Sequence, residues 1–258
     1  MFCSILISNY NKAKYIKNCI NSCLNQNYQN YEILIGDNGS NDGSLEIINN
    51  YKSINLFNIK KDFETTELNQ LNILKNIFKH SKGDLIFLLD SDDYFEKNKL
   101  QEIVNIFLKH SDKEIVCDVP KVVSNKNILK NFNFKKGIDP KKRWPTIFPT
   151  SSISVRRESI NNFFNLQLEN DYPELAVDFR IITYFYNLKK NFYICDNFLT
   201  NYLNMNEGNE SKYPKYSLRW WKRRYQSYIY LKEILKNAKI DHSISVDYIV
   251  TKIINKYF

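Results

Sequence analysis

The sequence predicts an α/β fold, a mixed but mostly parallel sheet flanked by helices, Rossmann-like in its layering. Two observations carry that reading. Strand-length apolar runs and segments with three- and four-residue apolar spacing alternate four times between Cys3 and Val119, as successive βα units do. The runs are apolar at nearly every position, as strands covered on both faces must be. A third observation bears on function. Polar or acidic stretches follow three of these strands directly, and in such sheets ligands bind outside the carboxyl ends of the strands.

Cys3 to Ser8 enters an apolar run without a basic leader or a small-residue cleavage site. It reads as a first strand and not a signal peptide, and the expected location is cytoplasmic. Asn9-Tyr10-Asn11-Lys12 follows as a loop. Asn11 is placed to cap a helix whose apolar positions are Ile16, Cys19, Ile20, Cys23 and Leu24. Tyr31 to Ile35 is a second strand, closed by the polar run from Gly36 to Ser44. A helix starting near Asp42 or Ser44 then buries Leu45, Ile48 and Tyr51. Ile54 to Ile59 reads as strand, and Leu68, Leu71, Leu74, Ile77 and Phe78 form a helical stripe ending near His80.

Leu85-Ile86-Phe87-Leu88-Leu89 is the most apolar strand, and it ends in Asp90-Ser91-Asp92-Asp93. Three carboxylates at the mouth of a buried strand repel one another and resist desolvation unless a cation or its ligand uses them. A helix with Leu100, Ile103, Val104, Phe107 and Leu108 on one side follows, then a strand from Ile115 to Val119. Beyond residue 120 the pattern becomes antiparallel. Val122-Val123, Phe132-Asn133-Phe134 and Ser152 to Val155 are short strand pieces separated by turns at Gly137 and Asp139-Pro140. Ala176 to Lys190 reads as a helix with Asp178 in its first turn, where the helix dipole favours an ionised carboxylate. Strands at Phe192 to Cys195 and Phe198 to Leu203, a polar loop from Asn204 to Ser211, and helices at Leu218 to Leu235 and 243–257 complete the chain. The expected division is a catalytic domain over 1–212 and a helical extension over 213–258.

Composition excludes several classes. The 258 residues include no apolar run long enough to span a bilayer. Five scattered cysteines form no CxxC pair, and Cys19 and Cys23, four apart on one helix face, read as core fillers. His80, His110 and His242 sit at or near helix ends, which suits their charge, and none is assigned a catalytic role. The net charge of +9 comes from dispersed bases in a chain rich in Lys, Asn, Ile, Tyr and Phe throughout, so no nucleic-acid partner is expected. GxGxxG and P-loop patterns are both absent.

Four segments in this order resemble the family 2 glycosyltransferases, inverting enzymes with the GT-A fold. They are Ser4 to Asn11, Asp37 to Ser44, Leu88 to Asp93 and Val177-Asp178-Phe179-Arg180, and the resemblance covers about residues 3 to 200. It implies a metal-dependent hexosyl- or N-acetylhexosaminyl-transferase that takes a nucleotide-diphosphate sugar, a UDP-sugar first among donors. The implied acceptor is a hydroxyl of a saccharide or lipid-linked glycan of bacterial surface type, such as capsule or lipopolysaccharide. The residues it implies for the nucleotide are Ser8, Tyr10, Asn11, Asp37, Asn38 and Asp90, with Lys75 supplying positive charge where the family often has an arginine. It implies Mg²⁺ or Mn²⁺ chiefly on Asp92, which needs only one or two carboxylates beside the substrate phosphates. Asp93 is either a second ligand or an acidic N-cap of the following helix. Asp178 is the implied base for the acceptor hydroxyl, with Asp171 and Glu174 as nearby alternates.

Asn38 stands where the family's second-strand motif usually has an acid, and it offers a donor as well as an acceptor to a base edge. A degenerate nucleotide-sugar binder therefore stays open beside the enzyme, as does a metal-dependent nucleotidyltransferase. The segment Arg219-Trp220-Trp221-Lys222-Arg223-Arg224-Tyr225 has two readings. It either touches an anionic membrane peripherally or packs its tryptophans on the sheet.

Overall fold

The alternation expected up to residue 119 is present in a computed structural model of the chain. The structure describes residues 1–124, 127–131, 146–166, 172–189, 191–203, 213–237, 239–240 and 245–257. Strands β1 (Cys3–Asn9), β2 (Tyr31–Asp37), β3 (Ile54–Asn58) and β4 (Leu85–Asp90) form a parallel quartet in the order β3-β2-β1-β4. The chain runs outward from β1 to β3 and then returns to the other side of β1. That reversal opens a crevice at the carboxyl ends of β1 and β4. Register places Ser8 opposite both Gly36 and Asp90, and Asn9 opposite Asp37.

Side-chain alternation along these strands makes two cores. Cys3, Ile5 and Ile7 of β1, with Leu85, Phe87 and Leu89 of β4, pack against α1 (Ala13–Leu24) and α4 (Lys99–Lys109). Leu6, Leu34, Ile86 and Leu88 face the other way, toward α3 (Thr66–Phe78). The short α2 (Ser44–Asn49) lies beside α1. All five cysteines are buried and free. His80 stacks on Phe57 with ring centroids 4.6 Å apart, and His110 packs against Tyr193.

The second half departs more from expectation. β5 (Tyr94–Phe95) was not foreseen, and neither was α5 (Arg157–Phe164), whose Ile160, Phe163 and Phe164 are buried. β6 (Ile115–Ser124) continues well past Val119 and pairs with β7 (Asn127–Asn131). β8 (Ile153–Arg156) runs antiparallel between β4 and β6. The helix expected from Ala176 to Lys190 is α6 (Val177–Tyr184), followed by a π-helical turn at Phe185–Lys189. The two strands expected after it are one, β9 (Phe192–Leu203), parallel to β6 with a shift between Asp118 and Pro120. β5 pairs antiparallel with β9 at the sheet edge. Residues 132–134, the turns at Gly137 and Asp139, the loop 204–211, Asp171 and His242 lie outside the described residues.

Three smaller expectations are corrected. Asn11 does not cap α1, whose first N–H groups are instead met by the start of the next βα unit: Lys12 N donates to Ser44 Oγ at 3.0 Å and Ala13 N to Asp42 Oδ2 at 2.8 Å. Leu24 and Leu108 close their helices facing solvent. The tryptophans are not among the buried core residues. Trp220 and Trp221 of α7 (Leu218–Asn237) are half-buried and meet each other edge-on at 4.7 Å beside exposed Tyr216. It is Tyr230, Leu231 and Ile234 that take α7 into the core. The last helix, α8 (Val246–Tyr257), packs on α7. No helix among the described residues is long and apolar enough to cross a membrane.

A buried ion pair pins the antiparallel half to the parallel half. Lys99 Nζ, with no exposed surface, donates to Asp118 Oδ1 at 2.8 Å, Thr200 Oγ1 at 2.6 Å and the Ser151 carbonyl at 2.6 Å. It thereby links α4, β6, β9 and the turn Thr150–Ser152. Burial pushes the Lys99 ammonium down and the Asp118 carboxyl up, and each partner opposes the shift in the other. Removing one partner strands the other in the interior. Lys99→Met is expected to cost about 3–5 kcal/mol, read as a lower urea midpoint, whereas Lys99→Met with Asp118→Leu recovers most of that loss.

Candidate active site

The loops after β1 and β2 are built as one unit. Buried Asp37 accepts hydrogen bonds from Asn9 Nδ2 at 2.7 Å, Ser40 Oγ at 2.6 Å, and the backbone N–H groups of Gly39 and Ser40, both at 2.9 Å. Gly39 has φ +76°, a left-handed turn position that glycine adopts without a Cβ penalty. Asn11, at φ +51°, accepts from Asn41 N and donates its own N–H to Ser40 Oγ, both at 2.9 Å. Asp37 and Asn11 therefore frame the crevice from behind. Ser8, Tyr10 and Asn38 line it. Asn38 Nδ2 donates to the Ile59 carbonyl at 3.0 Å, and Lys61 Nζ sits 4.8 Å above the Tyr10 ring.

The three acids after β4 have three different surroundings. Asp90 lines the cleft, and its Oδ1 accepts from Ser8 Oγ at 3.2 Å and Gln70 Nε2 at 2.6 Å. Burial, then Asp92, then Asp178 push its carboxyl up to about 7, against those two hydrogen bonds. Asp92 also lines the cleft, and Lys12 Nζ lies 2.5 Å from its Oδ2. Asp93 turns away and is buried. Its Oδ2 accepts from Ser151 Oγ at 2.5 Å and its Oδ1 from Leu203 N at 2.8 Å. Burial foremost, then Asp92 and Asp90, raise its carboxyl well above the usual range. Asp93 is not the cap of α4 either, because that helix begins at Lys99 after Asn98.

Asp178 lines the same cleft, close enough to Asp90 to raise it. It sits in the first turn of α6, where Phe179 N donates to its Oδ1 at 2.6 Å. Glu174 is held elsewhere: its Oε2 accepts from Tyr213 Oη at 2.6 Å and from Arg219. Lys75 also lies apart. It lines a separate groove with Asp84, Arg156 and Arg157 at the opposite end of β4. Thr66, Glu67, Asn69, Gln70 and Ile73 are the α3 residues that line the crevice, and five residues at 100° each put Lys75 well round the helix from Gln70. The cleft's cations are Lys12, Lys61 and Arg223 instead.

The donor set fits a small hard divalent cation. Asp90 and Asp92 offer carboxylate oxygens to the cleft, crowded by like charge, and an ammonium already lies against Asp92. Mg²⁺ or Mn²⁺ bound to nucleotides takes one or two such carboxylates and completes its shell with phosphate and water. Among the described residues no three or more His, Cys, Asp or Glu gather as a metal-binding group. The protein alone thus offers part of a coordination shell.

A switch-point crevice lined by acids in a mixed α/β sheet defines the GT-A class of fold. The same architecture occurs in the TarS protein of Staphylococcus aureus, residues 1–349, solved in complex with UDP. That structure has a TM-score of 0.68 at 16% identity, covering 99% of this chain and 70% of that one. The family model described as glycosyl transferase family 2 matches residues 4–164, and the chain belongs to that family. An uncharacterized glycosyltransferase of Haemophilus influenzae is 38% identical over 111 residues, 42% of this chain and 42% of the relative's length. The UDP-Glc:α-D-GlcNAc-diphosphoundecaprenol β-1,3-glucosyltransferase WfaP of Escherichia coli is 33% identical over 121 residues, 45% of this chain and 47% of that protein. The matched stretch thus spans less than half of either relative.

Lys12, Gln70 and Ser151 were not singled out from sequence, and Arg223 was read only as part of the basic, aromatic segment and not as a cleft residue. Lys12 adjoins a motif residue and was legible as a basic side chain at a strand's carboxyl end. The other three come from helix or turn positions that only the fold brings to the acids.

The raised carboxyl of Asp90 has a signed consequence. Its folded value, about 7, exceeds the ordinary value of about 3.9. Between those values the native state binds a proton that the unfolded chain does not, so this group makes stability fall as pH rises toward 7. Asp90→Asn, measured in EDTA, is expected to raise the unfolding midpoint relative to wild type at pH 7, with the gain shrinking to nothing near pH 4. An equal gain at both pH values would contradict the assignment.

Proposed function

We propose that the chain is an inverting glycosyltransferase that moves one sugar from a nucleotide-diphosphate donor to a hydroxyl of a surface glycan. The observation that carries this reading is the gathering of Asp178, Asp90 and Asp92 in one cleft, with Asp178 near enough to raise Asp90. UDP is the leading nucleotide, supported by the UDP complex of TarS and the UDP-glucose donor in the name of the Escherichia coli relative. That relative's lipid-diphosphate acceptor and the acidic cleft together favour a glycan acceptor over a polynucleotide. The catalytic part is residues 1–212, with 213–258 as an extension that contributes Arg223 to the cleft.

In this reading Ser8, Tyr10 and Asn38 receive the nucleoside. Asp92, with Asp90, would hold the divalent cation, which when bound neutralises charge on the departing diphosphate. Lys12, Lys61 and Arg223 bring further positive charge to the same space. Asp178 takes the acceptor hydroxyl proton as the oxygen attacks the anomeric carbon. The bond from that carbon to the diphosphate oxygen breaks on the opposite face, and the configuration inverts.

A thermal-shift screen of nucleotides and nucleotide sugars, with and without Mn²⁺, identifies the donor, because a ligand of the native state raises the midpoint. One nucleotide is expected to give a Mn²⁺-dependent shift that Asp92→Asn abolishes. Asp178→Asn should keep that shift and lose about 10²- to 10⁴-fold in sugar transfer. Near-wild-type turnover would sink the base assignment, and no shift with any nucleotide would sink the transferase reading.

A further inference from the structure

The terminal helix α8 is docked inside out. Its polar residues face α7: Asp247 accepts from Arg224 Nε at 3.0 Å and from Tyr228 Oη, and Asn255 Nδ2 donates to the Trp221 carbonyl at 3.0 Å. Thr251 is fully buried, its hydroxyl bonded to the Asp247 carbonyl. Tyr248 packs its ring on Tyr225 and Tyr228 of α7, but five other apolar residues point away. Val246 is 77% exposed, Ile249 47%, Val250 41%, Ile253 52% and Tyr257 69%. These five positions stand at i, i+3, i+4, i+7 and i+11, one continuous stripe. A surface helix of a water-soluble domain normally turns such a stripe toward the core and its polar side outward.

The charges beside the stripe are of one sign. The other exposed positions on α8 are Lys252 and Lys256. Its acid, Asp247, is neutralised by an ion pair with Arg224. The adjoining groove adds Leu218, Trp221 and Ile254, with Arg219 and Lys222 beside them, and the Glu174 there is already bonded to both bases. The outward surface of α8 is therefore apolar and cationic, a combination that complements neither water nor a neutral protein surface.

We infer that α8 is a membrane-contact helix whose stripe lies among the headgroups of a bilayer carrying anionic lipid. Apolar side chains then enter the acyl boundary while Lys252 and Lys256 meet lipid phosphates. A second copy of the chain is a poorer occupant. Five side chains on one short helix fall far below the roughly 20–30 residues a side of a stable protein interface. This contact differs from the one the sequence pointed to, since Trp220 and Trp221 belong to α7 and are half-buried. The inference does not depend on the transfer reading.

Flotation of the full chain on phosphatidylcholine vesicles with and without phosphatidylglycerol tests it. Wild type should float with the anionic vesicles and not with the neutral ones. Lys252→Ala and Lys256→Ala should each weaken binding about fivefold, and Ile249→Ser with Ile253→Ser at least ~10-fold. Both sets change exposed positions, so the urea transition should be unaltered, which separates lost binding from lost folding. Failure of wild type to float would overturn the inference, as would undiminished flotation of the double serine variant. It would also fall if light scattering showed a wild-type dimer that the serine variant converts to monomer without any vesicle binding.

Discussion

Mutual repulsion among carboxylates at the carboxyl end of β4 is the constraint on which the rest of the site depends. Asp92 and Asp178 raise Asp90 there, and Asp92 and Asp90 raise Asp93, in surroundings that strip water from both. Polar partners offset part of that cost: an ammonium for Asp92, a hydroxyl and an amide for Asp90, a hydroxyl and a backbone N–H for Asp93. The result is a division of labour among neighbours of identical chemistry. One acid is sealed into the frame, and two stay at the cleft wall with their charge only partly compensated.

That division is held from below by the Lys99 pair. Lys99 grips the Ser151 carbonyl, while the Ser151 hydroxyl donates to Asp93 and accepts from Asp90 N at 3.0 Å. A short chain of hydrogen bonds thus runs from an ion pair with no exposed surface to the backbone of the first acid. Replacing such a pair with apolar residues need not weaken a fold. Here, however, the ammonium also sets where the turn Thr150–Ser152 sits, so position rather than strength is what it contributes.

The first 119 residues were legible because their information is local. Near-continuous apolar runs mark the strands and three- to four-residue apolar spacing marks the helices, and the acids announce the crevice by following a strand. What lay hidden depended on distant partners. Asp92 and Asp93 are the same residue side by side, and only Ser151 and Leu203, far along the chain, draw one of them inward. Lys75 looked apt by charge, but the helical phase of α3 turns Gln70 toward the cleft. β9 reads as two strands because Asp196 and Asn197 interrupt its apolar pattern while the backbone pairing continues across a shift. α5 opens with Arg157-Glu158-Ser159, polar enough to mask the buried Ile160, Phe163 and Phe164 behind it.

The interlocked loops after β1 and β2 also bear on how a ligand would be met. Asp37, Asn11 and Ser40 hold the backbone on that side in place through the protein's own hydrogen bonds. Ordering a loop costs about 1–2 kcal/mol of conformational entropy per residue. Here folding has already borne that cost, so a nucleoside arriving between Ser8 and Asn38 would keep most of its contact energy as affinity. Association at this wall should then resemble a rigid encounter, limited by diffusion and orientation rather than by a slow rearrangement of the protein.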